Sequence, residues 1–400
     1  MNKEPQSTVF LKIFILFFFL ITLAFNLTVK GEQQFILLAK SFFHGKTYFI
    51  EKPEGLGDTF FYNGNYYWPN PPFPVITLIP FVYIFNLFNG DFYQGYLQFF
   101  LVVGVYHLVY KISFKQKYLK SDSAYLAFAF CFATAFIGVA VWPWSWYFSH
   151  VLTVFLIFLS IFEFQTKKRF LLIGILFALI LATRFSAATG IIFYILFILI
   201  TKNSLKFKIK KLTLLLSPLV ISFSLLILYN FVRYDSPKEL GYLKNTLPPF
   251  HEKAREYGVF DLKHIPGNLF YLFLSTPIPV YEDNISQVLK FPYLKTNQWG
   301  MSIFITSPIF FYLFFLAYKD KISKIILVTI ATIGLPIFLY YGVGWRQFGY
   351  RYSLDFLPLL YFLLIRNYRK KYKILSPGIK TVILISAFTN LYLFLSGFSN

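Results

Sequence analysis

The chain has 400 residues, of which 57% are hydrophobic, 22% aromatic and 14% charged, with a formal net charge of +21. A soluble globule of that balance would expose far more apolar surface than it could cover, so lipid is the solvent for most of the chain. The positive charge does not point to nucleic acid, because Lys and Arg sit in short clusters between apolar runs, where membrane topology accounts for them.

The first apolar run, 9–26, has Lys3 and Lys12 at its start, as a secretory signal would. No small-residue cleavage site follows it and it is long enough to span, so it is expected as a retained first helix with a cytoplasmic amino end. Eleven further runs follow: 73–88, 96–110, 124–141, 151–164, 170–182, 187–200, 212–231, 303–318, 325–341, 354–365 and 382–395. Cys131 lies within one of them and, as the one cysteine, forms no intrachain disulfide.

If all twelve runs crossed, the basic cluster 111–120 would face outward, against the positive-inside rule. Laying 73–88 along the outer interface instead brings the clusters 111–120, 167–169, 202–211, 319–324 and 366–380 to the cytoplasmic side. That run is opened by Pro71, Pro72 and Pro74 and carries Pro80, which suits a kinked interfacial helix. The expected fold is therefore all-α: a single polytopic transmembrane bundle over 1–400, with about 11 spans, an interfacial helix and two outer loops. The first outer loop, with the interfacial helix, is 30–93; the second is 232–300, which is either a solvated connector or a functional, lid-like loop. The carboxyl end is then outside. Asn284-Ile285-Ser286 matches a glycosylation acceptor, a weak pattern.

Chemistry is sought where ionisable groups meet the outer surface. Arg184 interrupts the apolar stretch Ala182-Thr183-Arg184-Phe185-Ser186, where it either binds an anionic group or snorkels to lipid headgroups. In Gly344-Trp345-Arg346-Gln347-Phe348-Gly349-Tyr350-Arg351-Tyr352, two guanidinium groups beside aromatic rings can clamp a phosphate; equally, Arg351 can pair with Asp355 at the helix start.

The first outer loop holds Glu32, Glu51, Glu54 and Asp58, then Tyr62 to Trp68, then the Pro-rich helix opening. Asn63-Gly64 forms a tight turn that brings Asp58 toward the aromatics, Tyr66 and Tyr67 among them. A carboxylate beside rings at a lipid interface is what sugar transfer from a lipid carrier requires, since an acceptor hydroxyl must lose its proton to a base while rings support the sugar. Taken singly, each acid also fits a solvated loop residue. No His, Cys or paired-carboxylate spacing suggests a metal.

These residues carry a resemblance. "DTFFYNGNYYWPNPPFPVITLIP" (58–80), Glu32 in "GEQQFILLAKSFFHG", "WPWSWYFSHVLTVFLIFLS" (142–160, with Ser149-His150) and "GWRQFGYRYSLDFLPLLYFLL" (344–364) together resemble the GT-C superfamily of polytopic glycosyltransferases, which includes protein mannosyltransferases and lipid A sugar transferases. Gly31 stands where relatives carry the first acid of a pair, and Phe73 replaces the Gly of a Pro-Pro-Gly-Pro opening.

The resemblance implies an inverting transferase in the bacterial inner membrane, moving a sugar from a polyprenyl-phosphate donor to an acceptor hydroxyl on a glycan, lipid or protein at the outer face. Asp58 and Glu32 would be the catalytic acids, and Arg184, Arg346 and Arg351 would hold the donor phosphate. Tyr66, Tyr67 and His150 would contact substrate, His150 alternatively being a structural hydrogen-bonding residue. Membrane lipid is a partner, nucleic acid is not, and neither cofactor nor metal is implied. The alternatives are a transporter or flippase, or an O-antigen-type polymerase, acting on lipid-linked sugars. A transporter predicts ionisable residues and broken helices near the midplane, whereas Asp91 and Glu163 sit close to the ends of runs. The topology makes a prediction: a cysteine replacing Lys115 in a Cys131→Ala background stays unlabelled by an impermeant thiol reagent in intact cells. Labelling there refutes the inward placement.

Overall fold

The computed structural model describes residues 6–53, 55–241, 244, 249–283 and 285–398; Lys3, Glu54 and Asn284 lie outside them. The chain is predominantly helical. Among the described residues, six helices are long and apolar enough to cross a bilayer: Val9–Thr28, Gln94–Lys115, Ser145–Gln165, Leu205–Tyr234, Lys321–Leu339 and Pro377–Gly397. The chain is accordingly a multi-pass integral membrane protein.

The remaining apolar runs are helical but shorter or broken. Phe170–Leu181 has 12 residues, about 18 Å at the α-helical rise. The run 124–141 stops at Phe132 and resumes only as the single turn Ile137–Ala140. The run 303–318 changes at Pro308 to the tighter 3-10 helix Pro308–Phe315, and the run 354–365 is opened by the 3-10 turn Arg351–Asp355 before Pro358 starts its helix. Apolar length alone does not register these changes of backbone. Among the described residues the all-α expectation also gives way locally to three two-stranded sheets.

The chain packs as two compact units. One consists of residues 24–101 and 142–256. Its helices Phe170–Leu181 and Leu205–Tyr234 touch backbone to backbone: a Cβ at Gly174 would lie 2.4 Å from the Leu215 carbonyl oxygen. Close approach through a small residue replaces the hydrophobic driving force that is missing in lipid. Ser222 adds an interhelical hydrogen bond to the Ala178 carbonyl, 2.8 Å.

In the same unit, strands Phe60–Tyr62 and Asn65–Tyr67 form a hairpin whose corner residues Asn63 and Gly64 have φ of 45° and 83°. Two positive φ values are what a two-residue hairpin corner demands, and Asn-Gly supplies them at little cost. Phe60 and Tyr67 sit opposite one another and pack with Tyr234 into a small buried cluster. The Pro-opened helix Phe73–Leu87 follows, anchored by the Phe73 N–H on the Ala182 carbonyl at 2.9 Å. Its Ile76, Tyr83, Ile84 and Leu87 are exposed, an apolar face suited to an interface.

The other unit consists of residues 1–23, 102–141 and 257–400. Phe18 of the first helix is enclosed by Phe128, Phe132 and Phe388. Long-range hydrogen bonds fasten the helices: Tyr118 to the Ile365 carbonyl, 2.9 Å, Tyr361 to the Leu126 carbonyl, 2.6 Å, and Asn390 to the Thr306 carbonyl, 2.8 Å. Buried Asp122 accepts from the Leu375 N–H at 3.0 Å and pairs with Lys380 at 2.7 Å. Strands Trp299–Met301 and Gln347–Gly349 run parallel.

Asp320 caps helix Lys321–Leu339 and bonds Arg366 at 2.8 Å and Lys370 at 2.6 Å. Burial pushes its carboxyl up, but hydrogen bonds from Lys370, Ser323 and Arg366 outweigh this and hold it well below the usual carboxylate range.

Two stability predictions arise here. Gly174→Ala lowers the melting temperature of the solubilised protein, because the methyl group meets backbone that cannot rotate away; overpacking of this kind costs about 1–3 kcal/mol. Asp320→Asn costs about 1 kcal/mol near neutral pH, a figure already reduced for the partial exposure of the network. Since the folded carboxyl titrates below the unfolded one, this advantage of the natural protein is present above the ordinary carboxylate range. It shrinks as pH falls below about 4, which melting curves across pH measure.

Candidate functional site

The loop after the first helix is built on main chain. Glu32 stands four residues beyond Thr28, the last residue of that helix, in the left-handed region at φ 52°. Its carbonyl oxygen accepts from Ser145 Oγ at 2.7 Å, Ser145 N at 3.1 Å and Gln94 Nε2 at 3.0 Å. Gln94 also donates to the Pro143 carbonyl at 2.7 Å, and its own N–H bonds Gln33 Oε1 at 3.1 Å. Two buried side chains thus join the start of helix Gln94–Lys115, the start of helix Ser145–Gln165 and residues 32–33.

With its backbone pinned, Glu32 turns its carboxylate on the second acidic segment. Oε2 accepts from Gln34 Nε2 at 2.6 Å and from the Gly57 N–H at 3.1 Å. The next residue is Asp58, also left-handed at φ 58°, and its Oδ2 accepts from the Trp146 indole Nε1 at 2.7 Å. Gly57 lies between the partners: a Cβ there would sit 3.2 Å from Trp146 Cη2 and 3.8 Å from Glu32 Oε1. Both acids are half-buried. A left-handed conformation costs a residue with a Cβ about 1–2 kcal/mol, and both acids adopt it.

Trp146, which bonds Asp58, is not singled out by the sequence: nothing in "WPWSWYF" says which indole meets an acid 88 residues earlier. Its surroundings are aromatic: the Trp68 ring lies 5.6 Å away and the Trp144 ring 6.2 Å. A Cβ at Gly31 would make ordinary contact with Trp144 Nε1 at 3.4 Å, so space does not dictate the absence of an acid there.

The other sequence-derived candidates fall elsewhere. Tyr66 is half-buried, its ring 5.1 Å from Phe61 and its carbonyl bonded by the Phe49 N–H. Tyr67 is 5% exposed and packs on Phe60, Tyr48 and Tyr234; burial pushes its phenol up. The hairpin register explains this placement, since it sets Tyr67 opposite Phe60 in the small core, and the ring that packs on Trp146 is Trp68 instead. His150, one turn beyond Trp146, is 1% exposed within its helix.

Arg184 is half-buried at the break between helix Phe170–Leu181 and the turn Phe185–Ala188. Arg346 and Arg351 belong to the other unit. Arg346 is exposed, with φ 51°. The Arg351 side chain donates to the Trp345 carbonyl at 3.2 Å and its N–H to Gln347 Oε1 at 3.0 Å. Among the described residues, no group of three or more His, Cys, Asp or Glu could hold a metal ion.

The fold and site define a multi-pass membrane protein with two strained carboxylates and an indole gathered where its first apolar helix ends. No family model and no curated protein matches the chain. Two solved structures of the Archaeoglobus fulgidus oligosaccharyltransferase AglB are similar to it, one in the apo form and one in complex with an inhibitory peptide and a dolichol-phosphate. The first is 13% identical and aligns over 95% of this chain with a TM-score of 0.44; the second is 11% identical and aligns over 96%, also at 0.44. This chain spans about half the length of those proteins, 55% and 56%.

Proposed function

We propose that the protein is a GT-C-type membrane glycosyltransferase that moves a sugar from a polyprenyl phosphate to an acceptor hydroxyl, with inversion. One observation carries the reading: Glu32 bonds the peptide N–H next to Asp58, while Asp58 takes an indole hydrogen bond. Two carboxylates 26 residues apart in sequence are thereby joined through a single residue, Gly57, on left-handed backbone, beside the part-exposed Trp146 ring, which suits the apolar face of a sugar.

In this mechanism Asp58 is the base. Its carboxylate takes the acceptor hydroxyl proton as the oxygen attacks the anomeric carbon. The bond from that carbon to the phosphate oxygen breaks, and its electron pair leaves with the polyprenyl phosphate. Glu32 holds the Gly57–Asp58 segment in place, with Oε2 engaged by two N–H donors. Arg184, in the same unit, is the cation proposed to meet the donor phosphate. Arg346 and Arg351 keep the phosphate-binding role suggested by the sequence as separate proposals.

Topology completes the proposal: about 11 crossings in a bacterial inner membrane, with the amino end cytoplasmic, the carboxyl end outside and both outer loops on the acceptor side. Residues 73–88 then lie in the outer interface. The donor tail needs an apolar groove, and neither a soluble nucleotide sugar nor a metal is part of the chemistry.

Asp58→Asn is expected to reduce transfer from a polyprenyl-phosphate sugar in membranes by about 10²–10⁴-fold, the range for loss of a general base. Glu32→Gln is expected to reduce it less. Unchanged transfer in both variants refutes the mechanism and favours a lipid-linked-sugar transporter.

A further inference from the structure

Arg233, near the carboxyl end of helix Leu205–Tyr234, has no part in the chemistry above, yet it is only 4% exposed. A guanidinium taken so far out of water is costly unless its surroundings compensate. Among the described residues no carboxylate bonds it. Nη1 donates to the Trp68 carbonyl at 2.9 Å and Nη2 to Asn230 Oδ1 at 2.6 Å. The cation lies over the rings of Tyr229, at 4.1 Å, and Tyr234, at 4.5 Å. Carbonyl dipoles, ring faces and the negative end of its own helix share the work of a counter-ion.

What this arrangement secures is the position of one tryptophan. Trp68 is 1% exposed, and its ring lies 5.6 Å from Trp146 and 5.9 Å from Phe35. Trp146 in turn holds Asp58, and its ring edge borders Gly57, so the indole has a wall on the Trp68 side and a peptide on the other. We infer that Arg233 is a positioning residue for the candidate site: by clamping the Trp68 carbonyl it keeps the Trp68 ring where it holds the Trp146 indole on the Asp58 carboxylate. The forked geometry accounts for Arg at this place, since the same planar group bonds Trp68 and Asn230 while lying flat on tyrosine rings, which a Lys ammonium cannot do. The catalytic consequence, though not the geometry, rests on the reading of Asp58 as the base.

The test uses the full chain in detergent micelles with ¹⁵N-labelled tryptophan, the Trp146 indole resonance being assigned by its loss in Trp146→Phe. Asp58→Asn calibrates the experiment, because removing a charged acceptor weakens the hydrogen bond and moves the indole proton upfield. Arg233→Met is expected to move the resonance in the same direction, and Arg233→Lys to move it less. A merely structural arginine leaves this signal in place, so an unmoved resonance in Arg233→Met overturns the proposal.

Should that variant not fold, Trp68→Leu tests the same link with the guanidinium retained, and an unmoved resonance there is equally decisive. With a tritiated polyprenyl-phosphate hexose as the probe, Arg233→Met is expected to lower kcat about 10- to 100-fold at unchanged KM, the signature of a misplaced base. A raised KM with unchanged kcat counts against it. Activity surviving in Asp58→Asn removes the base reading alone, since the indole signal does not depend on turnover.

Discussion

The site depends on how one carbonyl is satisfied. Where a chain leaves an apolar helix and turns back over a protein surface, its peptide groups have little water to bond and must find protein partners. At Glu32 the carbonyl oxygen collects three donors, from Gln94 and Ser145. Those donors stand at the starts of two helices, so satisfying one residue's backbone also sets where those helices begin relative to the loop. Everything at the site is hung from that junction: the Glu32 carboxylate reaches Gly57, and Trp146, one residue after Ser145, reaches Asp58.

Aromatic rings extend the junction sideways. Trp68 bridges from Trp146 toward the cluster of Tyr229, Arg233 and Tyr234, and Tyr67 on the adjoining strand fills the small core beneath. Two neighbouring residues therefore have opposite duties. Tyr67 closes the strand Asn65–Tyr67, and Trp68 is the first residue beyond it.

Helices and breaks differ in how well the sequence displays them. Long apolar stretches without charge are visible because the bilayer demands length and little else. The hairpin is visible because Asn63-Gly64 has few other uses. Prolines at 308 and 358 sit where helices change character, but a proline says only that something changes, not whether a 3-10 segment follows. The acids were within reach of sequence reasoning, as carboxylates on a loop beside a membrane face. Their union was not: it depends on Gly57, whose N–H bonds Glu32 and whose lack of a side chain lets Trp146 come close, and on an indole in a segment containing three alternating tryptophans. Arg233 was hidden for the opposite reason, since an arginine closing an apolar helix looks like an ordinary headgroup anchor.

The division of labour within Glu32 bears on how such a loop can diverge. Its carbonyl joins two helix starts and its side chain holds Gly57, so the junction asks of position 32 only a residue that tolerates positive φ. Asn, Asp and Gly meet that condition readily, whereas Val and Ile are penalised by their branched Cβ. Related chains can therefore exchange the acid at this position, for a shorter carboxylate, an amide or nothing, without rebuilding the junction beneath it. The scaffold leaves its own chemistry open to selection at a single codon.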